Sequence, residues 1–171
     1  MKRRGSALPK VHETVVHMLA EAAETAGDRT ALVCGDRQLT YDEYLRCVGG
    51  FAHELVLQGA RGGRVALICG NSIEVAVAMF AAHAAGAQAV PINPIYTARE
   101  LRHILSDSEP SAVVYDSDVA PTVEPLLAEL GIDRGIKLGG DDGRLLDAWR
   151  DDDTRLPEPW PTADDPATLQ Y

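Results

Sequence analysis

The sequence predicts an α/β fold, with strands alternating with helices and a largely parallel sheet flanked by helices. Three observations carry this. Arg64 to Cys69 (RVALIC) is a near-continuous apolar run of strand length, the pattern of a strand buried on both faces. Thr40-Tyr41-Asp42-Glu43 and Thr97-Ala98-Arg99-Glu100 both have the capping-box spacing that opens a helix. Glycines then stop the periodic runs, so helix and strand alternate along the chain as in βαβ units.

The elements follow in order. Between Val11 and Ala23 apolar residues fall at Val11, Val15, Met18, Leu19 and Ala22, a helical spacing, with Gly27 past its end. Thr30 to Cys34 and Gln38 to Thr40 read as two short strands joined through Gly35-Asp36. The first capping box starts a helix expected to reach Gln58 and stop at Gly59, with Leu39 and Tyr44 placed to staple its entry. The RVALIC strand turns at Gly70-Asn71-Ser72, where Ser72 is a candidate N-cap, and a helix runs on to about Ala85. Gln88 to Ile92 is the next strand. The second capping box, stapled by Tyr96 and Leu101, opens a helix ending near Ser108. Ala112 to Tyr115 reads as a strand, Pro121 to Leu130 as a helix and Gly135 to Leu138 as a strand. The chain thus divides into a basic, flexible terminus (1–10), an α/β subdomain (11–138) and an acidic Gly/Pro-rich surface crossover (139–166) with a short helical patch at Leu145 to Trp149. A strand then begins at 167–171.

Composition narrows the function classes. The chain has 171 residues, 46% hydrophobic, enough for one domain with a real core. A net charge of -10 disfavours phosphate backbones and hence a nucleic-acid partner. The longest apolar stretch, Val75 to Ile92, approaches the ~20 residues of a membrane span. His83, Gln88, Gly86 and Pro91 interrupt it, so it reads as a buried helix followed by a buried strand. The scattered Cys34, Cys47 and Cys69 form no C-x-x-C pair and fit thiols in a reducing, cytoplasmic setting.

No catalytic constellation is visible. His12 and His17 in HETVVH are five apart, which points them about 140° apart on a helix, unlike the four-residue spacing of a zinc motif. The RVALICGNS turn carries neither G-x-G-x-x-G nor G-x-x-x-x-G-K-[ST], and reads as a structural turn. The carboxylates of GGDDGRLLD lack the calcium-loop pattern. His53, His83 and His103 lie on predicted helices away from any nucleophile motif. Asp107, Glu109, Asp116 and Asp118 lie at element ends, where acids cap or face water. No catalytic, cofactor-binding or metal residue is assigned.

Residues 12 to 118 nevertheless resemble the N-terminal region of the adenylate-forming acyl- and aryl-CoA synthetases, a superfamily that includes peptide-synthetase adenylation domains and firefly luciferases. The resemblance rests on Leu39-Thr40-Tyr41 with Glu43, Gly86 through Pro91, Asn93-Pro94 and Leu105 to Ser108 together. Asn93-Pro94-Ile95-Tyr96-Thr97 with Glu100-Leu101 looks most like the fatty acyl-CoA ligases and their 4-coumarate relatives. The fold implied is part of the large N-terminal domain of an adenylate-forming enzyme. In this family an A-x-L-x-Y-like strand leads into a Ser/Thr/Gly-rich loop whose lysine handles the ATP phosphates. Ala167, Leu169 and Tyr171 match that lead-in.

The resemblance therefore implies an N-terminal fragment of an ATP-dependent acyl-CoA ligase for a fatty or other hydrophobic acid. ATP, magnesium and coenzyme A would serve the whole enzyme, and none is expected to bind well to these residues alone. The implied partner is the C-terminal remainder of the same chain, with self-association possible in its absence. Thr40, Glu43, Thr97 and Glu100 are expected to build the scaffold. Two other readings compete: a complete, non-enzymatic α/β binding or interaction module, and a Rossmann-like nucleotide binder, against which the missing glycine fingerprint counts.

Overall fold

The computed structural model describes residues 10–139, 144–150 and 155–171. Helix α1 (Val15–Ala26) starts at Thr14, whose hydroxyl oxygen accepts the His17 N–H. The spacing predicts a start at Val11, but a capping oxygen fixes a helix end more firmly than an apolar side chain does. Val11 stands 91% exposed ahead of the helix. The buried stripe is Val16, Leu19 and Ala23, while Val15 and Met18 face outward. One residue's offset turns the face by about 100°.

Strands β1 (Thr30–Cys34) and β2 (Arg37–Thr40) form the expected antiparallel hairpin. Gly35 has φ +59° at the first central position of its two-residue loop, a conformation that glycine adopts without a Cβ penalty. Helix α2 (Tyr41–Leu57) opens with a complete capping box. The Glu43 carboxylate accepts the Thr40 N–H at 2.8 Å, and the Thr40 hydroxyl oxygen accepts the Glu43 N–H at 3.2 Å. Leu39 and Tyr44, the staple pair, are both buried in one cluster.

Three βα units follow. Strand β3 (Arg64–Ile68) leads to α3 (Ile73–Ala84), capped by Ser72. Strand β4 (Gln88–Ile92) leads to α4 (Ala98–Ser108), opened by the Thr97–Glu100 box. Strand β5 (Ala112–Asp116) leads through a 3-10 turn to α5 (Ala120–Leu130), then to β6 (Gly135–Leu138). The four strands form one parallel sheet in the order β4-β3-β5-β6.

The alternation of side chains along β3 explains its unbroken apolar run. Val65 and Leu67 point into a cluster with α1, α2 and α3, and Ala66 and Ile68 into a second cluster with α4 and α5. Each large aliphatic side chain buried this way is worth about 1.5–3 kcal/mol. The result is a three-layer sandwich, helices on both faces of the sheet.

The crossover contributes to the first cluster. Helix α6 (Arg144–Arg150) buries Leu146 and Trp149, and Leu156 follows them inward. Trp149 stacks on Phe51 of α2 with ring centroids 4.3 Å apart and 13° between planes. Polar groups of α2 and the turn after it hold the crossover by its carbonyls. Arg46 Nε donates to Arg150 at 2.8 Å, His53 Nε2 to Arg155 at 2.9 Å and Arg61 Nη1 to Pro159 at 3.0 Å. The acidic composition that reads as surface thus conceals an apolar face at Leu146, Trp149 and Leu156. Asp141 and Asp142 of GGDDGRLLD lie outside the described residues, as does most of the basic terminus.

Finally, the terminal segment reaches the free edge of β4 and pairs with it in parallel at Ala89–Thr168. Ala89 N–H donates to the Ala167 carbonyl and Leu169 N–H to the Ala89 carbonyl, each at 2.9 Å.

Candidate functional site

In an open parallel sheet, ligands gather outside the carboxyl ends of the strands, where the strand order reverses. Here that point lies between β3 and β5, because the chain passes from β3 outward to β4 and then back across β3 to β5. The residues meeting there are the Gly70-Asn71-Ser72 turn and Asp116-Ser117. Their geometry closes the crevice. Asp116 Oδ2 accepts the Gly70 N–H at 2.6 Å, and the Ser72 hydroxyl oxygen accepts the Val75 N–H at 3.1 Å. Ser117 Oγ donates to the Leu138 carbonyl at 3.3 Å, tying β6 to the same edge. Cys69, one residue before the turn, is buried with its thiol 3.7 Å from the Val114 carbonyl. Burial, reinforced by the Asp116 carboxylate, pushes that thiol's pKa well up, so it stays protonated.

Beside the closed crevice an open cleft of about 750 Å³ runs along the carboxyl ends of β3 and β4. Tyr44, Met79 and Phe80 give it an apolar wall, and Asn71 and Asn93 supply the amides. Tyr44 donates to the Ala76 carbonyl at 3.0 Å, and its burial raises the phenol pKa, so it remains neutral. Asn93 Oδ1 accepts the Ile95 N–H at 3.1 Å, which shapes the Asn93-Pro94-Ile95-Tyr96-Thr97 loop leading into α4. Arg37 reaches over from the hairpin and pairs with Glu74 in the first turn of α3.

The residues weighed from sequence scatter. His12 precedes α1 and lies 3.7 Å from Glu21, whereas His17 is on the helix and meets Trp160 edge-on. No metal-competent cluster of three His, Cys, Asp or Glu side chains occurs among the described residues. His53 holds the crossover, His103 is exposed on α4, and Asp107 accepts the Tyr171 hydroxyl at 2.6 Å. Glu109 closes α4 at φ +45° and Asp118 lies in the 3-10 turn. Asp116 alone of these carboxylates reaches the strand-order reversal. Its position at the end of a strand is legible in the sequence; its Gly70 partner, 46 residues away, is not.

Comparison with known proteins places this architecture. The sequence profile of a family described as "AMP-binding enzyme" matches residues 19–171. A medium/long-chain-fatty-acid–CoA/3-oxocholest-4-en-26-oate–CoA ligase of Mycobacterium marinum is 34% identical over 116 residues, 67% of this chain and 21% of that protein. Tyrocidine synthase 3 of Brevibacillus parabrevis is 30% identical over 112 residues, 65% of this chain and 2% of its own length. Among solved structures, Mycobacterium tuberculosis fatty acyl CoA synthetase superposes with a TM-score of 0.81 at 29% identity, over 93% of this chain and 32% of that one. The chain therefore spans about a fifth of the length of the ligase it matches.

Proposed function

The chain belongs to the AMP-binding enzyme family, and on that premise we propose that it is the N-terminal part of an ATP-dependent acid–CoA ligase acting on a fatty or other hydrophobic acid. The observation that carries this reading is the joint match in sequence and fold to fatty-acid–CoA ligases, confined to their N-terminal region. The reaction is activation of a carboxylate, a poor electrophile, by ATP to an acyl-adenylate with release of pyrophosphate. Coenzyme A thiol then displaces AMP and leaves a thioester. ATP, magnesium and coenzyme A serve the whole enzyme.

Among the described residues, those at the strand-order reversal do not fit a magnesium triphosphate. At the strand-order reversal the Gly70 N–H is already committed to Asp116, the Ser72 oxygen already accepts the Val75 N–H, and the nearby charges are the carboxylates of Asp116 and Glu74. Arg37 is paired with Glu74. Transferring a phosphoryl-type group requires preorganised cations and donors, so no catalytic step is assigned here. The chain instead supplies a rigid layer: capped helices, the parallel sheet, and a β4 edge on which Ala167–Leu169 is seated. The pairing is parallel, so it directs the chain toward the carboxyl edge of the sheet.

Its partner on this reading is the remainder of a longer polypeptide. In isolation the exposed Thr168–Tyr171 edge favours self-association, which sedimentation at rising concentration would detect. No described helix is long and apolar enough to cross a membrane. The free Cys34, Cys47 and Cys69 support a reducing, cytoplasmic location. Purified chain, given ATP, magnesium and a panel of fatty and amino acids, should show no acid-dependent ATP–pyrophosphate exchange. Clear exchange would overturn the scaffold reading.

A further inference from the structure

A separate cavity lies at the far end of α3, away from the carboxyl edge. It measures about 300 Å³, the lower end of the ordinary range for small-ligand pockets. Val15, Ala87, Pro161, Ala163 and Pro166 make it largely apolar, and His83 is its one imidazole. Neither His83 ring nitrogen has a hydrogen-bond partner among the described residues, although both are covered. The Ala167 carbonyl, which accepts the Ala89 N–H at 2.9 Å, lies near enough to the ring to favour its protonated form slightly, but outside hydrogen-bond geometry. A covered, unpaired polar atom is unfavourable, so this ring gains from any partner it can meet.

His83 as a whole is only half-buried, so the surface it exposes is not that of its nitrogens. A half-turn about the Cβ–Cγ bond exchanges nitrogen and carbon positions while leaving the ring outline unchanged. Such a flip carries the nitrogens to the positions the ring carbons now hold without repacking the neighbours, on a side chain that lines the cavity. Burial lowers its pKa, so it is neutral at pH 7, with one donor and one acceptor nitrogen. The rim is acidic. Glu13 lies beside His17, and the Asp165 carboxylate accepts the Thr162 N–H at 2.7 Å and its hydroxyl at 3.0 Å. No Lys or Arg among the described residues lines the cavity, and its own carboxylates, Glu13 and Asp165, disfavour a carboxylate or phosphate there.

We propose that this cavity binds a small uncharged molecule with an apolar ring and one hydroxyl, of the phenol class, the hydroxyl pairing with His83 and the ring packing on the apolar walls. The inference is independent of the ligase reading.

The test is titration of the 171-residue chain with phenol, toluene and benzoate, following the His83 ring resonances by NMR and measuring the affinity of every protein, variants included, by calorimetry. Phenol should saturate and shift them. Toluene should bind about tenfold more weakly, as expected for one lost hydrogen bond, and benzoate should not bind. His83→Leu should weaken phenol binding about tenfold, and Ala163→Trp, which leaves the imidazole in place, should block it. Phenol failing to bind, benzoate binding equally well, or phenol affinity unchanged in His83→Leu would each overturn the proposal. If His83→Leu does not fold, unchanged phenol affinity in Ala163→Trp would do the same.

Discussion

Gly50 sits in the middle of α2, where alanine would normally be the better residue. Replacing an interior helical glycine by alanine gains about 1 kcal/mol in helix propensity. Here a Cβ would land 2.8 Å from Trp149 Cδ1 and 3.1 Å from its Cβ and Cγ, well inside the ~3.5–4.0 Å optimum for carbon pairs. Trp149 cannot easily retreat, because its ring is held in a stack on Phe51. Overpacking of this kind costs about 1–3 kcal/mol, so Gly50→Ala should be net destabilising by about 1 kcal/mol. Trp149→Ala alone should cost about 3 kcal/mol or more. With the indole gone the Cδ1 and Cγ contacts disappear and only the alanine Cβ at 3.1 Å remains, a contact relieved by a shift of a few tenths of an ångström once the stack on Phe51 no longer holds residue 149, and Gly50→Ala should then stabilise by about 1 kcal/mol. Urea denaturation of the four proteins, followed by far-UV circular dichroism, gives the double-mutant cycle. The expected coupling is about 2 kcal/mol. Equal stabilisation by Gly50→Ala in both backgrounds would refute the seating of the crossover on α2.

Three further outcomes are expected. Thr40→Ala should lower stability by about 1 kcal/mol through loss of the capping box, and Thr40→Ser should restore most of it in the same urea assay. Under native conditions a thiol reagent at pH 8 should label exposed Cys34 readily and buried Cys47 and Cys69 slowly, with all three reacting once the chain is unfolded; burial pushes the Cys47 pKa up to about 11. Burial holds His83 below the ordinary histidine value, so the unfolded chain takes up that proton first. Its contribution is therefore full above about pH 6.5 and lost as pH falls through the interval down to the folded value, and His83→Leu should flatten the stability profile in that interval.

The fold was legible wherever the determining signal is local. Both capping boxes, the Gly35-Asp36 hairpin and the doubly buried β3 are written in consecutive residues and recur in the structure. The misplaced face of α1 shows the limit of periodicity: Val11, Val15 and Met18 have helical spacing, but Thr14 sets the start and Val16 takes the inward position. The crossover was obscured for a different reason. Its acidic composition describes its exposed side, whereas Leu146, Trp149 and Leu156 are buried, Trp149 over the space that Gly50 leaves by lacking a side chain. The Asp116–Gly70 bond and the unpaired His83 nitrogens depend on contacts across the sheet and on the absence of neighbours, neither of which leaves a trace in spacing.

The central claim is that this chain is the structural layer on which an acid-activating site is assembled. It is tested most directly by replacing the matching N-terminal segment of the Mycobacterium marinum ligase with this chain and measuring fatty-acid-dependent ATP–pyrophosphate exchange. The hybrid should fold and exchange, while the 171-residue chain alone remains silent. A folded hybrid without exchange would contradict the account.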